Sequence, residues 1–144
     1  MSSLIVRVTH KNARKFLFRK EVSKSRAPMI FDGLSHMLAY ENNKGPWPAM
    51  TRMPNVKTAF FRYCDKNLMY GLARPFYFPR LRKLYVLGHP GESLRLFDQK
   101  QTTIYLHEWH KPLFVEQDNV KVLKKEDFFK ALMNVKLVNK HTET

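Results

Sequence analysis

Residues 93–123, SLRLFDQKQTTIYLHEWHKPLFVEQDNVKVL, hold four short runs of β-forming residues: Ser93 to Phe97, Thr102 to Trp109, Leu113 to Glu116 and Val120 to Leu123. Asp98-Gln99-Lys100-Gln101 separates the first pair and Gln117-Asp118-Asn119 the second. Polar turn formers between β-forming runs predict hairpins, and two successive hairpins predict a local antiparallel sheet. Working back along the chain, Leu81 to Leu87 (LRKLYVL), Val56 to Tyr63 (VKTAFFRY) and Ser3 to Thr9 (SLIVRVT) read as further strands. Helices are expected at Asn12 to Ser25, at Phe31 to Tyr40 and at Lys125 to Val138. The last has Phe128, Phe129, Leu132 and Val135 on one face, with Glu126 and Asp127 at the positive end of its dipole. Together these elements predict an α+β fold: a small, mostly antiparallel sheet with flanking helices and an extended basic N-terminal arm. No internal repeat is visible.

The expected organisation is a basic arm over residues 1–30, a compact domain over 31–138 and a polar tail over 139–144. Within the domain, residues 41–55 read as an extended loop, because Gly45, Pro46, Pro48 and Pro54 oppose regular structure.

Charge narrows the function. The 144 residues carry 26 Lys and Arg against 12 Asp and Glu, a formal net charge of +14. The excess is clustered: +7 over residues 1–30 and +5 over 61–90, but −2 over 91–120. Clusters of this kind read as contact surfaces for phosphate. A disulfide scaffold is excluded by a single cysteine. A chain that is 44% hydrophobic and 13% aromatic is no disordered solvating tail. The longest uninterrupted apolar stretch, Leu84 to Leu87, is far below the roughly 18 residues of a spanning helix. The first thirty residues are rich in Arg, Lys and Ser with Glu21 as the only acid, the composition of a mitochondrial transit peptide. They predict a mitochondrial matrix address, with the import signal retained as a binding arm.

Two segments stand out as nucleic-acid contacts. Arg74 to Tyr85 (RPFYFPRLRKLY) interleaves Arg74, Arg80, Arg82 and Lys83 with Phe76, Tyr77, Phe78 and Tyr85. Cations neutralise phosphates, aromatic rings stack on unpaired bases, and guanidinium binds phosphate bidentately. The plain alternative is that the rings fill the core. The basic helix at 12–25, with Arg14, Lys15, Arg19 and Lys20, followed by Arg26, is the second. Trp47 and Trp109 are expected at an interface.

Catalysis finds no footing. His107 and His110 lie on opposite faces of a strand at an offset of three, so no metal site is expected. Cys64 has no activating context. Gly88-His89-Pro90-Gly91-Glu92-Ser93 lacks the lysine of a phosphate loop and reads as a turn. No cofactor is expected. The expectation is a structural RNA-contacting subunit of a large ribonucleoprotein, a mitochondrial ribosome foremost. Its partners would be ribosomal RNA and neighbouring subunits, and it would not function as an isolated monomer. The competing expectation is a supernumerary, non-catalytic subunit of a mitochondrial membrane complex, a respiratory enzyme or ATP synthase, with the basic clusters on acidic protein or cardiolipin.

Overall fold

A computed structural model describes residues 6–9, 11, 24, 26–34, 51–64, 77–88, 100–108 and 118–139. Six strands are formed: β1 (Val6–Val8), β2 (Met29–Asp32), β3 (Thr58–Arg62), β4 (Lys83–Leu87), β5 (Thr103–His107) and β6 (Val120–Leu123). Among the described residues one helix, α1 (Lys125–Asn139), follows β6 directly. The strands lie in the order β1-β2-β3-β4-β5-β6 and every neighbouring pair is parallel.

The antiparallel expectation is therefore wrong. β5 and β6 are neighbours, but they run the same way, and residues 108–119 carry the chain back between them. A parallel pair needs a crossover of about a dozen residues or more, and each connection here is long enough. The sequence signal for the parallel arrangement lies in β3. Ala59, Phe60 and Phe61 are consecutive and all buried, so both faces of the strand are covered, as in parallel sheets. The helix expected at Phe31 to Tyr40 fails at its start, since Phe31 and Asp32 complete β2. Gly33, at φ +68°, then bends the chain out of the sheet. The helix expected at 12–25, apart from Lys24, and the strands at 93–97 and 113–116 lie outside the described residues. α1 and β6 fall where the sequence puts them.

Strand order equal to chain order, with every strand pointing the same way, is the topology of a solenoid with one strand per coil. Crossovers of one hand then put the connections on one face. Connection residues Leu34, Met53, Val56, Phe78 and Leu81 pack in one core with the strand residues Met29, Phe31, Ala59, Phe61, Leu84 and Val86. Phe31 and Phe61 are register partners with ring centroids 4.9 Å apart, and Phe78 meets Phe31 edge-on at 6.0 Å. Full burial of each ring contributes about 2–3 kcal/mol.

The repeat that is hidden in the sequence shows in this geometry. Register aligns Met29, Ala59, Leu84, Ile104 and Val120 as one buried row. After β2, β3 and β4 comes a residue with positive φ: Gly33, Tyr63 and Gly88. The amides of Gly33 and Tyr63 donate to the carbonyls of Arg62 and Leu87 at 2.8 and 2.7 Å, which extends the ladder by one rung into each bend. Tyr63 holds φ 57° as a non-glycine residue and is well exposed.

The opposite face of the sheet is covered by α1. Leu132 packs on Ile30 and Phe60, with Phe129 and Tyr85 against them. On this face register aligns Phe60, Tyr85 and Tyr105, and their rings stack along the row. The centroids are 4.4 and 4.8 Å apart at interplanar angles of 11° and 18°. That spacing is the ordinary distance between strands, so each ring stands on its own strand.

Candidate nucleic-acid interface

Because all strands run in register in one direction, the residues just before each strand share one rim of the sheet. Arg26 precedes β2, Lys57 precedes β3, and Arg80 and Arg82 precede β4, whose first residue is Lys83. Lys24 and Lys100 flank the same ends of β2 and β5. All seven are exposed. The coils are locked together here by backbone bonds: the amides of Arg82 and Lys83 both donate to the Lys57 carbonyl, at 2.9 and 3.0 Å, and Thr103 N donates to the Arg82 carbonyl at 2.8 Å. Side chains extend the lock. Thr102 Oγ1 donates to the Leu81 carbonyl at 2.7 Å, and Asn119 Nδ2 to the Thr102 carbonyl at 3.0 Å. The cationic stripe thus stands on a rigid edge and spans about 14 Å from β2 to β5 at the ordinary strand spacing.

A groove of about 250 Å³ opens in this stripe, lined by Arg26, Asn55, Lys57 and Arg80. Arg80 Nη1 donates to Asn55 Oδ1 at 3.4 Å. Among the described residues no carboxylate lies within 4 Å of Arg26, Lys57, Arg80, Arg82 or Lys83. Asp118, before β6, is an exposed acid at this end of the strands. Arg26, Lys57, Arg80, Arg82 and Lys83 thus form a concentrated positive field with no carboxylate partner among the described residues.

The other ends of the strands behave differently. Asp32 accepts from Arg62 Nη2 at 2.7 Å, from Arg62 Nε at 3.3 Å and from Arg7 Nη2 at 2.8 Å. Burial pushes the Asp32 carboxyl up, but the hydrogen bonds and charges of Arg62 and Arg7 outweigh it and hold the group below the usual carboxylate range. On the covered face, burial pushes the Tyr85 hydroxyl up, reinforced by Tyr105. His107 is fully buried, with the rings of Phe128 and Phe129 edge-on at 5.6 and 5.7 Å. Burial lowers its pKa from 6.5, and Lys125 adds to that effect; Glu108 and Glu126 oppose it.

The residues singled out in the sequence divide four ways. Arg26, Arg80, Arg82 and Lys83 come together on the rim. Tyr77 and Phe78 are buried in the core on the connection side, so they offer no ring to a base. Tyr85 is half-buried between the rings of Phe60 and Tyr105. Arg14, Lys15, Arg19, Lys20, Arg74, Trp47, Phe76 and Trp109 lie outside the described residues. Lys57, Asn55 and Lys100 were missed. The available signal was positional, since Lys57 stands before β3 as Arg82 stands before β4. Cys64 is buried, its thiol donating to the Phe31 carbonyl at 3.2 Å. It packs in the connection-side core, whereas His107 stands on the α1 side, so the sheet separates the two. No group of three metal-binding side chains occurs among the described residues. Nor is any described helix long and apolar enough to cross a membrane.

A family model described as a family of unknown function (DUF5845) matches residues 38–116, just over half of the chain. The matched stretch contains β3, β4 and β5, with Lys57, Arg80, Arg82, Lys83 and the Phe60, Tyr85 and Tyr105 rings. No curated protein and no solved structure matches the chain.

Proposed function

The chain belongs to a family of unknown function (DUF5845), and from its own residues we propose that it is a non-catalytic scaffold that contacts RNA through the cationic rim. The observation that carries this reading is the gathering of Arg26, Lys57, Arg80, Arg82 and Lys83 from three successive coils onto one edge, with no carboxylate against them among the described residues. Arg and Lys in such a stripe displace counterions from a phosphate backbone, and that release drives binding. The Arg80 guanidinium adds bidentate geometry to the groove. A place in a large ribonucleoprotein, the mitochondrial ribosome in the first instance, extends this reading on the charge and composition of the chain.

The test is the salt dependence of binding to a fluorescent RNA. With about three or four rim cations on phosphate, log K should fall against log salt with a slope of about −2 to −3. A slope near zero would sink the proposal.

A further inference from the structure

The aromatic row on the α1 face has one open end. Phe60 is closed off by Ile30 and Leu132, and Tyr85 is held between two rings with Phe128 edge-on at 5.9 Å. Tyr105 is stacked on Tyr85 alone; among the described residues no second ring contacts it. The next register position is Lys121, which is exposed. Tyr105 therefore ends the stack with one face toward a cation rather than another ring. The α1 rings and Leu132 engage other residues of this face: Phe128 meets Tyr85 and His107, and Leu132 packs on Ile30 and Phe60. Between α1 and the rim the face also carries Thr58, Lys83 and Thr103, aligned by register.

From these placements we infer that the rim holds a single-stranded stretch of RNA, whose phosphates follow Arg26, Lys57, Arg80 and Lys83 and one of whose bases stacks on the open face of Tyr105 beside Lys121. The inference rests on the RNA-binding reading of the rim and names the form of RNA. Tyr105 lies two residues along β5 from Thr103, whose register partner is Lys83 at the rim. At strand rise that is about 7 Å, the scale separating a phosphate from its own base. The geometry excludes duplex from the stacking position. A paired base is already stacked on both faces and cannot extend a protein ladder without leaving the helix. Stacking of this kind tolerates any base, so the site selects strandedness rather than sequence.

The experiment uses the full chain and a short unstructured RNA carrying 2-aminopurine, with its duplex as comparison. The wild type and Tyr105→Phe should both quench the probe on binding, because either ring can stack. Tyr105→Leu should lose the quench and bind the single strand about tenfold more weakly, with its duplex affinity unchanged. Thermal melts of both variants establish that the fold is retained. If Tyr105→Leu quenches and binds as the wild type does, or if duplex binds as tightly as single strand, the inference is overturned while the rim reading stands. If neither form of RNA shows salt-dependent binding, the rim reading itself falls.

Discussion

Arg62 and Arg82 stand at opposite ends of neighbouring strands, and only one of them is spoken for. At the carboxyl ends, Arg62 and Arg7 close on Asp32. At the amino ends, Arg82 joins Arg26, Lys57, Arg80 and Lys83, with no carboxylate within 4 Å of them among the described residues. Both ends carry arginine, and its presence alone would not tell them apart. The difference is pairing. A guanidinium fixed by a carboxylate contributes to the fold, whereas an unpaired row contributes a field that reaches a ligand.

This contrast can be broken at either end. The largest effect is expected from reversing the free end. The double variant Lys57→Glu/Arg80→Glu should lower RNA affinity on the order of 100-fold, because each reversal removes a phosphate contact and adds a repulsion. Its melting temperature should stay near that of the wild type, since neither side chain is packed in a core. Fluorescence anisotropy and a thermal melt, side by side, would check this. Equal affinity would move the binding surface elsewhere.

Removing the paired cation should do the reverse. Arg62→Met leaves the largely buried Asp32 carboxylate with Arg7 alone, and should cost about 1–3 kcal/mol in urea unfolding. RNA affinity should change little. A variant that loses binding but not stability would mean that Arg62 is part of the interface.

Asp32→Asn sharpens the comparison from the other side. It releases the Arg62 guanidinium from its carboxylate at the quiet end. A gain in RNA affinity of about two- to fivefold is expected, with a steeper salt slope by roughly 0.7 for each arginine that finds a phosphate. The same substitution should flatten the acid limb of the stability curve. A carboxyl held below 3.8 in the folded chain stabilises above that value, and the contribution is lost as pH falls through the folded pKa.

The smallest effect concerns His107. Its folded pKa is lowered from 6.5, so the neutral ring is favoured in the fold. The stability it contributes is complete above pH 6.5 and drains away as pH falls below that toward the folded value. Replacing it with Phe, against the rings of Phe128 and Phe129, should remove that part of the acid sensitivity. Thermal melts of the two proteins at neutral pH and below 6.5 would read it.

Particular residues mark how far the sequence reaches. The runs at 56–63, 81–87, 102–109 and 120–123 each contain a strand, and the periodicity from Lys125 gives α1. These are consequences of neighbours in the chain: β-branched and aromatic residues suit a pleated strand, and spacings of three and four suit a helix. Strand direction is not a local property. Asp98-Gln99-Lys100-Gln101 and Gln117-Asp118-Asn119 are good turn formers, but burial on both faces of β3 is satisfied by a parallel sheet. Tyr77 and Phe78 beside Arg80 could have faced a ligand, and the core took them.

The sequence by itself thus determined the supply of charge, the positions of these strands and the closing helix, because each depends on residues a few places apart. Only the tertiary structure decided that Arg26, Lys57, Arg80 and Arg82, scattered through more than fifty positions, share one edge. Parallel register does this: when every strand points the same way, whatever precedes each strand is carried to the same rim.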